Sequence, residues 1–185
     1  MSQPQMLMDF FREHQNLSEQ IFLQTYPHPF LLFEGQWPQN LPPKVEKKKS
    51  EKEIGETTKK MQAVFLEEEP PFTPVNMSCA IVLPARKRSK TAPLPVSIGR
   101  DQSCDLVLPF DEISSHHASL SWNEDLTEYT LVDEDSTNGT FVNTYPLKPH
   151  DPQKISDQDV IKLGSHSFLF YSPKSLYLYM VSPFV

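Results

Sequence analysis

The sequence predicts an all-β sandwich flanked by an N-terminal amphipathic helix and a short C-terminal helix, and three observations carry that reading. From residue 63 onwards, short runs rich in β-branched and aromatic residues are broken about every 8–12 residues by Pro, Gly, Asn or Asp. Several runs alternate, as Ala118, Leu120 and Trp122 do, which gives one face to a core and the other to solvent. Before residue 34 the apolar spacing is helical instead, and between the two regions lies a segment too charged to build a core. At 185 residues the chain has room for one ordinary domain and an extension.

In chain order, Leu7, Phe10, Phe11, Leu17 and Ile21 fall near a three-and-four spacing, which predicts one helix from Ser2 to Tyr26 with Pro4 in its first turn. Pro27 and Pro29 end it. Phe30 to Phe33 then reads as a strand or a docking segment, completing an N-terminal unit over 1–33. The helix either packs on its own domain or offers its apolar face to a partner. Within 34–61, the stretch from Lys44 to Lys60 holds seven lysines and four glutamates with no aromatic, which predicts a mobile linker.

Candidate strands follow at Ala63–Leu66, Cys79–Leu83, Val96–Gly99, Leu106–Leu108, Ala118–Trp122, Tyr129–Asp133, Thr140–Asn143, Val160–Leu163 and Ser167–Tyr171. Over 173–185 the tail predicts a docking helix, with Ser172 as N-cap and Pro173 at the first helical position. In such a sandwich the strand ends gather at two poles, so loops carry any site.

Composition excludes several functions. The five glycines, at 35, 55, 99, 139 and 164, never cluster, so a Walker or Rossmann phosphate cradle cannot be built. The longest apolar runs fall far short of the ~20 residues that span a bilayer, which predicts no membrane insertion. Cys79 and Cys104 read as reduced, buried thiols, and the chain as cytoplasmic. The Lys-rich run is interleaved with glutamate and lacks aromatics, so nucleic acid is not the expected partner. No metal or cofactor motif is found. An enzyme is not expected; the nearest alternative is a phosphoesterase built from His116 with Asp111 or Asp133.

Three segments place small polar residues, an arginine and glycines where strands end: Ser97 to Arg100, Ile113 to Ala118, and Ser136 to Asn143. A guanidinium fork suits a phosphate, hydroxyls donate to further oxygens, and an asparagine amide serves a peptide backbone. Three charge-assisted hydrogen bonds of ~1.5–3 kcal/mol each, less ordering costs, support recognition at about the micromolar level. Arg86 to Lys90 precedes the Val96–Gly99 strand whereas Arg100 follows it, so this basic loop is expected at the opposite pole.

In this order and at these separations, Gly99-Arg100, Ser114 to His117, Asn138-Gly139 and Asn143 resemble the motifs of the forkhead-associated (FHA) domain, a sandwich of about eleven strands that binds phosphothreonine peptides. The resemblance covers about Cys79 to Tyr171 and implies an FHA domain over 62–172. It implies that Arg100 and Ser114 hold the phosphate, Thr137 contacts the phosphothreonine, Asn138 bonds the peptide main chain and Ser115 adds a contact. Gly99, His117, Gly139 and Asn143 are then supporting residues, His117 bracing the loops from inside.

The implied partner is a phosphothreonine-containing protein, such as a kinase or kinase substrate. Phosphorylation of Thr57, Thr58 or Thr73 would also allow self-association. The alternative is a phosphate-independent scaffold on the same fold.

Overall fold

The computed structural model describes residues 4–38, 79–89, 95–123 and 125–182. These form twelve strands and three helices: β1 (Gln5–Met6), α1 (Leu7–His14), α2 (Glu19–Thr25), β2 (Phe30–Glu34), β3 (Ala80–Pro84), β4 (Val96–Gly99), β5 (Leu106–Val107), β6 (Ala118–Trp122), β7 (Tyr129–Asp133), β8 (Thr140–Val142), β9 (Tyr145–Pro146), β10 (Gln153–Ile155), β11 (Val160–Leu163), β12 (His166–Tyr171) and α3 (Pro173–Val181). One sheet runs β1-β3-β2-β12-β11-β8-β9 and the other β10-β7-β6-β4-β5. Only β4 and β5 pair in parallel; the other strand pairs are antiparallel.

The expected sandwich is present, with a third layer upon it. In the seven-stranded sheet, Leu31 and Phe33 of β2, Ile81 and Leu83 of β3, and Phe168 and Phe170 of β12 face the core between the sheets. Their neighbours Phe30, Leu32, Ala80, Val82, Leu169 and Tyr171 belong to a second core, completed by Leu7, Phe10, Phe11, Phe22, Leu176 and Met180 from the helices. Adjacent strand residues point to opposite faces, so a strand covered on both sides must be apolar throughout. That is why Phe30-Leu31-Leu32-Phe33 and Phe168-Leu169-Phe170-Tyr171 are unbroken apolar runs rather than alternating ones.

Three expectations change here. The N-terminal helix is two helices: Ser18 caps α2 by accepting from the Ile21 N–H at 3.4 Å, and the break lets the chain fold back so that α1 and α2 both reach the sheet. His14 locks the pair, its Nδ1 2.7 Å from the Phe10 carbonyl and its Nε2 2.6 Å from the Tyr26 hydroxyl. Secondly, β2 is a central strand between β3 and β12, so the sandwich draws on residues before the linker and does not begin at residue 62. Lastly, Cys104 is buried but Cys79 is exposed, and the two are not joined in a disulfide.

Helix α3 has the predicted cap, with the Ser172 hydroxyl accepting from the Ser175 N–H at 3.2 Å and Pro173 in the first turn. It docks on the same outer face, contacting α2, and the Tyr177 hydroxyl donates to the Leu17 carbonyl at 3.2 Å. The candidate strand at Ala63–Leu66 and most of the Lys-rich linker, with Thr57, Thr58 and Thr73, lie outside the described residues.

His28 is 6% exposed where α2 turns into β2, its ring against Tyr26 and Phe30. Burial, partly offset by the Pro29 carbonyl and reinforced by the Arg86 charge, lowers its pKa from 6.5 to about 4. The unfolded chain therefore binds the extra proton first on acidification. Stability from this group is complete above pH 6.5 and is lost as pH falls towards 4, by about 3 kcal/mol at ~1.4 kcal/mol per pH unit. Urea unfolding at pH 7.5 and pH 4.5 should show this loss, and His28→Gln should reduce the difference between the two pH values.

Candidate functional site

The strand order brings three loops to one pole: 100–105 after β4, 108–117 between β5 and β6, and 134–139 between β7 and β8. Backbone bonds stitch them together. Arg100 N–H donates to Ser114 O at 2.9 Å, Asp101 N–H to Ser115 O at 3.0 Å, and Glu134 N–H to His117 O at 2.9 Å.

Side chains complete the assembly. The Ser114 hydroxyl accepts from the Thr137 N–H at 3.0 Å and lies 3.4 Å from the Thr137 hydroxyl. Asn138 Nδ2 donates to the Glu112 carbonyl at 2.8 Å. Arg100 Nη1 donates to Asp111 Oδ1 at 3.0 Å, with the Arg100 side chain 40% exposed and that of Asp111 99% exposed. Ser115, Thr137 and Asn138 are exposed, and Arg100 and Ser114 partly so. The structure thus places a guanidinium, two hydroxyls and an amide on interlocked loop tips.

His117 is fully buried beneath them. Its Nδ1 accepts from the Ser114 N–H at 3.0 Å, which leaves the proton on Nε2 to donate to the Gly139 carbonyl at 3.2 Å. One neutral ring therefore ties two of these loops together. Burial lowers its pKa, favouring this neutral form. Gly99 is required by contact, because a Cβ there would lie 2.3 Å from the Ser115 carbonyl oxygen. Gly139 has φ of +79°, which lets the chain turn from Asn138 into β8.

A family model described as the FHA domain matches residues 96–164, spanning β4 to the end of β11. The FhaA FHA domain, solved in complex with the intracellular domain of Rv3910, is 30% identical; the match covers 45% of this chain and 86% of that one, with a TM-score of 0.39.

Residues 96–164 thus carry an FHA domain.

Among curated relatives, Protein phosphatase 2C 70 of Arabidopsis thaliana is 34% identical over 85 residues, covering 42% of this chain and 15% of that protein. Angiogenic factor with G patch and FHA domains 1 of Homo sapiens is 34% identical over 87 residues, covering 44% and 12%. The chain thus spans less than a fifth of the length of either curated relative.

Within the FHA domain, Asn143 does not join the loop cluster. It stands at the far end of β8 with φ of +49°, donating to Asp159 Oδ1 at 2.6 Å and accepting from the Val160 N–H at 2.8 Å. Its side chain fastens the β8–β9 turn to β11 instead of bracing the three loops. Asp133, weighed above as a member of an acid–base pair, is 2% exposed and accepts from the Ser136 N–H and the Ser136 and Thr140 hydroxyls, so it shapes the 134–139 loop.

The basic loop is anchored near the start of β4, the end of that strand away from Arg100. Lys87 Nζ donates to Asp105 at 2.7 Å and to the Pro95 carbonyl at 2.9 Å, and the Arg88 N–H donates to Asp105 at 3.1 Å. The Arg88 guanidinium reaches the Gln102 carbonyl, in the loop that starts at Arg100, so Lys87 and Arg88 are held along the β4–β5 edge. Burial alone would raise the Asp105 pKa, but the hydrogen bonds from Lys87, Ser97 and Arg88 hold it at about 2. Beneath the loop, burial and the nearby Asp101 push the Cys104 thiol to about 11. It stays protonated and bonds the Ser115 carbonyl at 3.2 Å.

Sequence reading missed Asp111 as the partner of Arg100 and the Glu112 carbonyl as the brace of Asn138. The adjacent acidic pair just before Ile113-Ser114 was the available signal. His117→Ala should leave the Ser114 N–H without its buried partner, while the Gly139 carbonyl keeps the Gly164 N–H at 3.0 Å. At about 1–3 kcal/mol for the orphaned N–H and about 1 kcal/mol for the second bond lost, denaturant unfolding should register a loss of roughly 2–4 kcal/mol.

Proposed function

We propose that this FHA domain is a phosphothreonine-dependent protein-interaction module that reads phosphorylated peptide segments through Arg100, Ser114, Ser115, Thr137 and Asn138. The observation that carries the proposal is the convergence, on loops tied together by His117, of one accessible guanidinium with the Ser114 and Thr137 hydroxyls and the Asn138 amide. Arg100 supplies a charged fork for phosphate oxygens, and the hydroxyls donate to the remaining ones. With Nδ2 committed to the Glu112 carbonyl, Asn138 keeps Oδ1 to accept from a ligand main-chain N–H.

Preference for threonine over serine would come from seating one methyl group, worth only about 1 kcal/mol. The partner class is therefore a phosphothreonine-bearing protein, such as a kinase or kinase substrate, or a second copy phosphorylated on Thr57, Thr58 or Thr73. Two cysteines that are not joined in a disulfide suit the reducing compartment proposed for it, the cytoplasm.

The test is to screen a phosphothreonine peptide library and compare the best peptide with its unphosphorylated twin by calorimetry. A micromolar phosphopeptide and an undetectable twin are expected. Equal binding of the two would instead establish a phosphate-independent scaffold.

A further inference from the structure

We propose that Asp111 sets the affinity of the phosphate site by competing with the ligand for Arg100, an inference that rests on the phosphopeptide reading above. In the free protein the Arg100 guanidinium already holds an anion, since Asp111 Oδ1 lies 3.0 Å from Nη1. The pair joins two of the reading loops, Arg100 following β4 and Asp111 lying between β5 and β6. Asp111 is 99% exposed, so its carboxylate can swing into water without opening a cavity or orphaning a buried group.

A phosphate approaching Arg100 must first displace this carboxylate. The apparent dissociation constant is then the intrinsic one divided by the fraction of molecules in which Arg100 is unpaired. An exposed ion pair has a small free energy, which corresponds to a reduction of about two- to fivefold in the affinity of any anion at the site. Because every anionic ligand is weakened by the same factor, Asp111 raises the threshold. A phosphothreonine segment with several charge-assisted contacts remains bound, whereas a peptide carrying one glutamate in its place falls below useful affinity.

The experiment is a double-mutant cycle read by calorimetry, with one phosphothreonine peptide on the full chain and its Asp111→Asn, Arg100→Ala and doubly substituted variants. Asp111→Asn should tighten binding by about two- to fivefold. The same substitution should have no measurable effect once Arg100 is alanine, which separates competition for Arg100 from general relief of negative charge. Raising the salt from 0.05 to 0.5 M should shrink the gain, because exposed pairs are screened.

If wild type binds the peptide while Asp111→Asn leaves affinity unchanged or lowers it, the inference is overturned and the functional reading stands. An equal gain with and without Arg100 also overturns it. If wild type binds no phosphothreonine peptide, the functional reading fails and this inference falls with it.

Discussion

Arg100→Ala is expected to lower affinity for a phosphothreonine peptide at least tenfold while leaving the fold intact. Each charge-assisted hydrogen bond to a phosphate is worth about 1.5–3 kcal/mol, and one such bond already corresponds to a factor of about ten or more. The folded protein depends little on this side chain, whose charged partner, Asp111, is fully in water. An exposed pair of that kind contributes at most about 1 kcal/mol to stability. Binding and folding should therefore separate cleanly: calorimetry should show the affinity loss, and thermal unfolding should move by only a few degrees. Arg100→Lys should fall between, since it keeps the charge but not the planar fork. An Arg100→Ala protein that binds as tightly as wild type would mean that another group holds the phosphate.

The second large effect concerns folding. Deleting residues 1–35 removes β2 from the middle of the seven-stranded sheet together with α1 and α2. Strands β3 and β12 each lose a pairing partner. Phe30, Leu31, Leu32 and Phe33 are all at most 4% exposed, and burying each is worth about 1.5–3 kcal/mol. Their sum is comparable with the whole stability of an ordinary domain, about 5–15 kcal/mol. The truncated chain should lack a cooperative unfolding transition and a dispersed amide spectrum. It should also expose apolar surface at Val82, Leu169, Leu176 and Met180, which the helical layer now covers. A truncated protein that unfolds cooperatively and still binds the phosphopeptide would show that β2 is dispensable. The region matched by the family model is thus shorter than the unit expected to fold.

Much of the sandwich was legible because its central strands carry strong signals. Val96–Gly99, Ala118–Trp122, Tyr129–Asp133 and Val160–Leu163 have the bounds expected from their β-branched and aromatic residues. Strands β9 and β10, Tyr145–Pro146 and Gln153–Ile155, were not, since two or three residues, all exposed but Ile155, carry no periodic pattern. Phe30 to Phe33 was ambiguous for a different reason. A run covered on both faces does not alternate, and its partner strands lie far along the chain.

At the site, residue types and spacing singled out Arg100, Ser114, Thr137 and Asn138, and the structure brings their loops together. Asn143 was misplaced because three residues of β8 carry the chain to the opposite end of the strand. The braces escaped notice because they are backbone atoms and long-range partners. Neither the Glu112 carbonyl that holds Asn138 nor the Asp111 carboxylate on Arg100 announces itself by residue type alone.

The central claim is that a phosphorylated threonine segment binds on the loops joined by His117. Titrating the 15N-labelled chain with a phosphothreonine peptide, while following its assigned amide resonances, tests this most directly. Saturable shifts are expected at Arg100, Ser114, Ser115, Thr137 and Asn138, with the amides of α1, α2 and α3 unmoved. Shifts confined to the helical layer, or the same shifts with the unphosphorylated peptide, would contradict it.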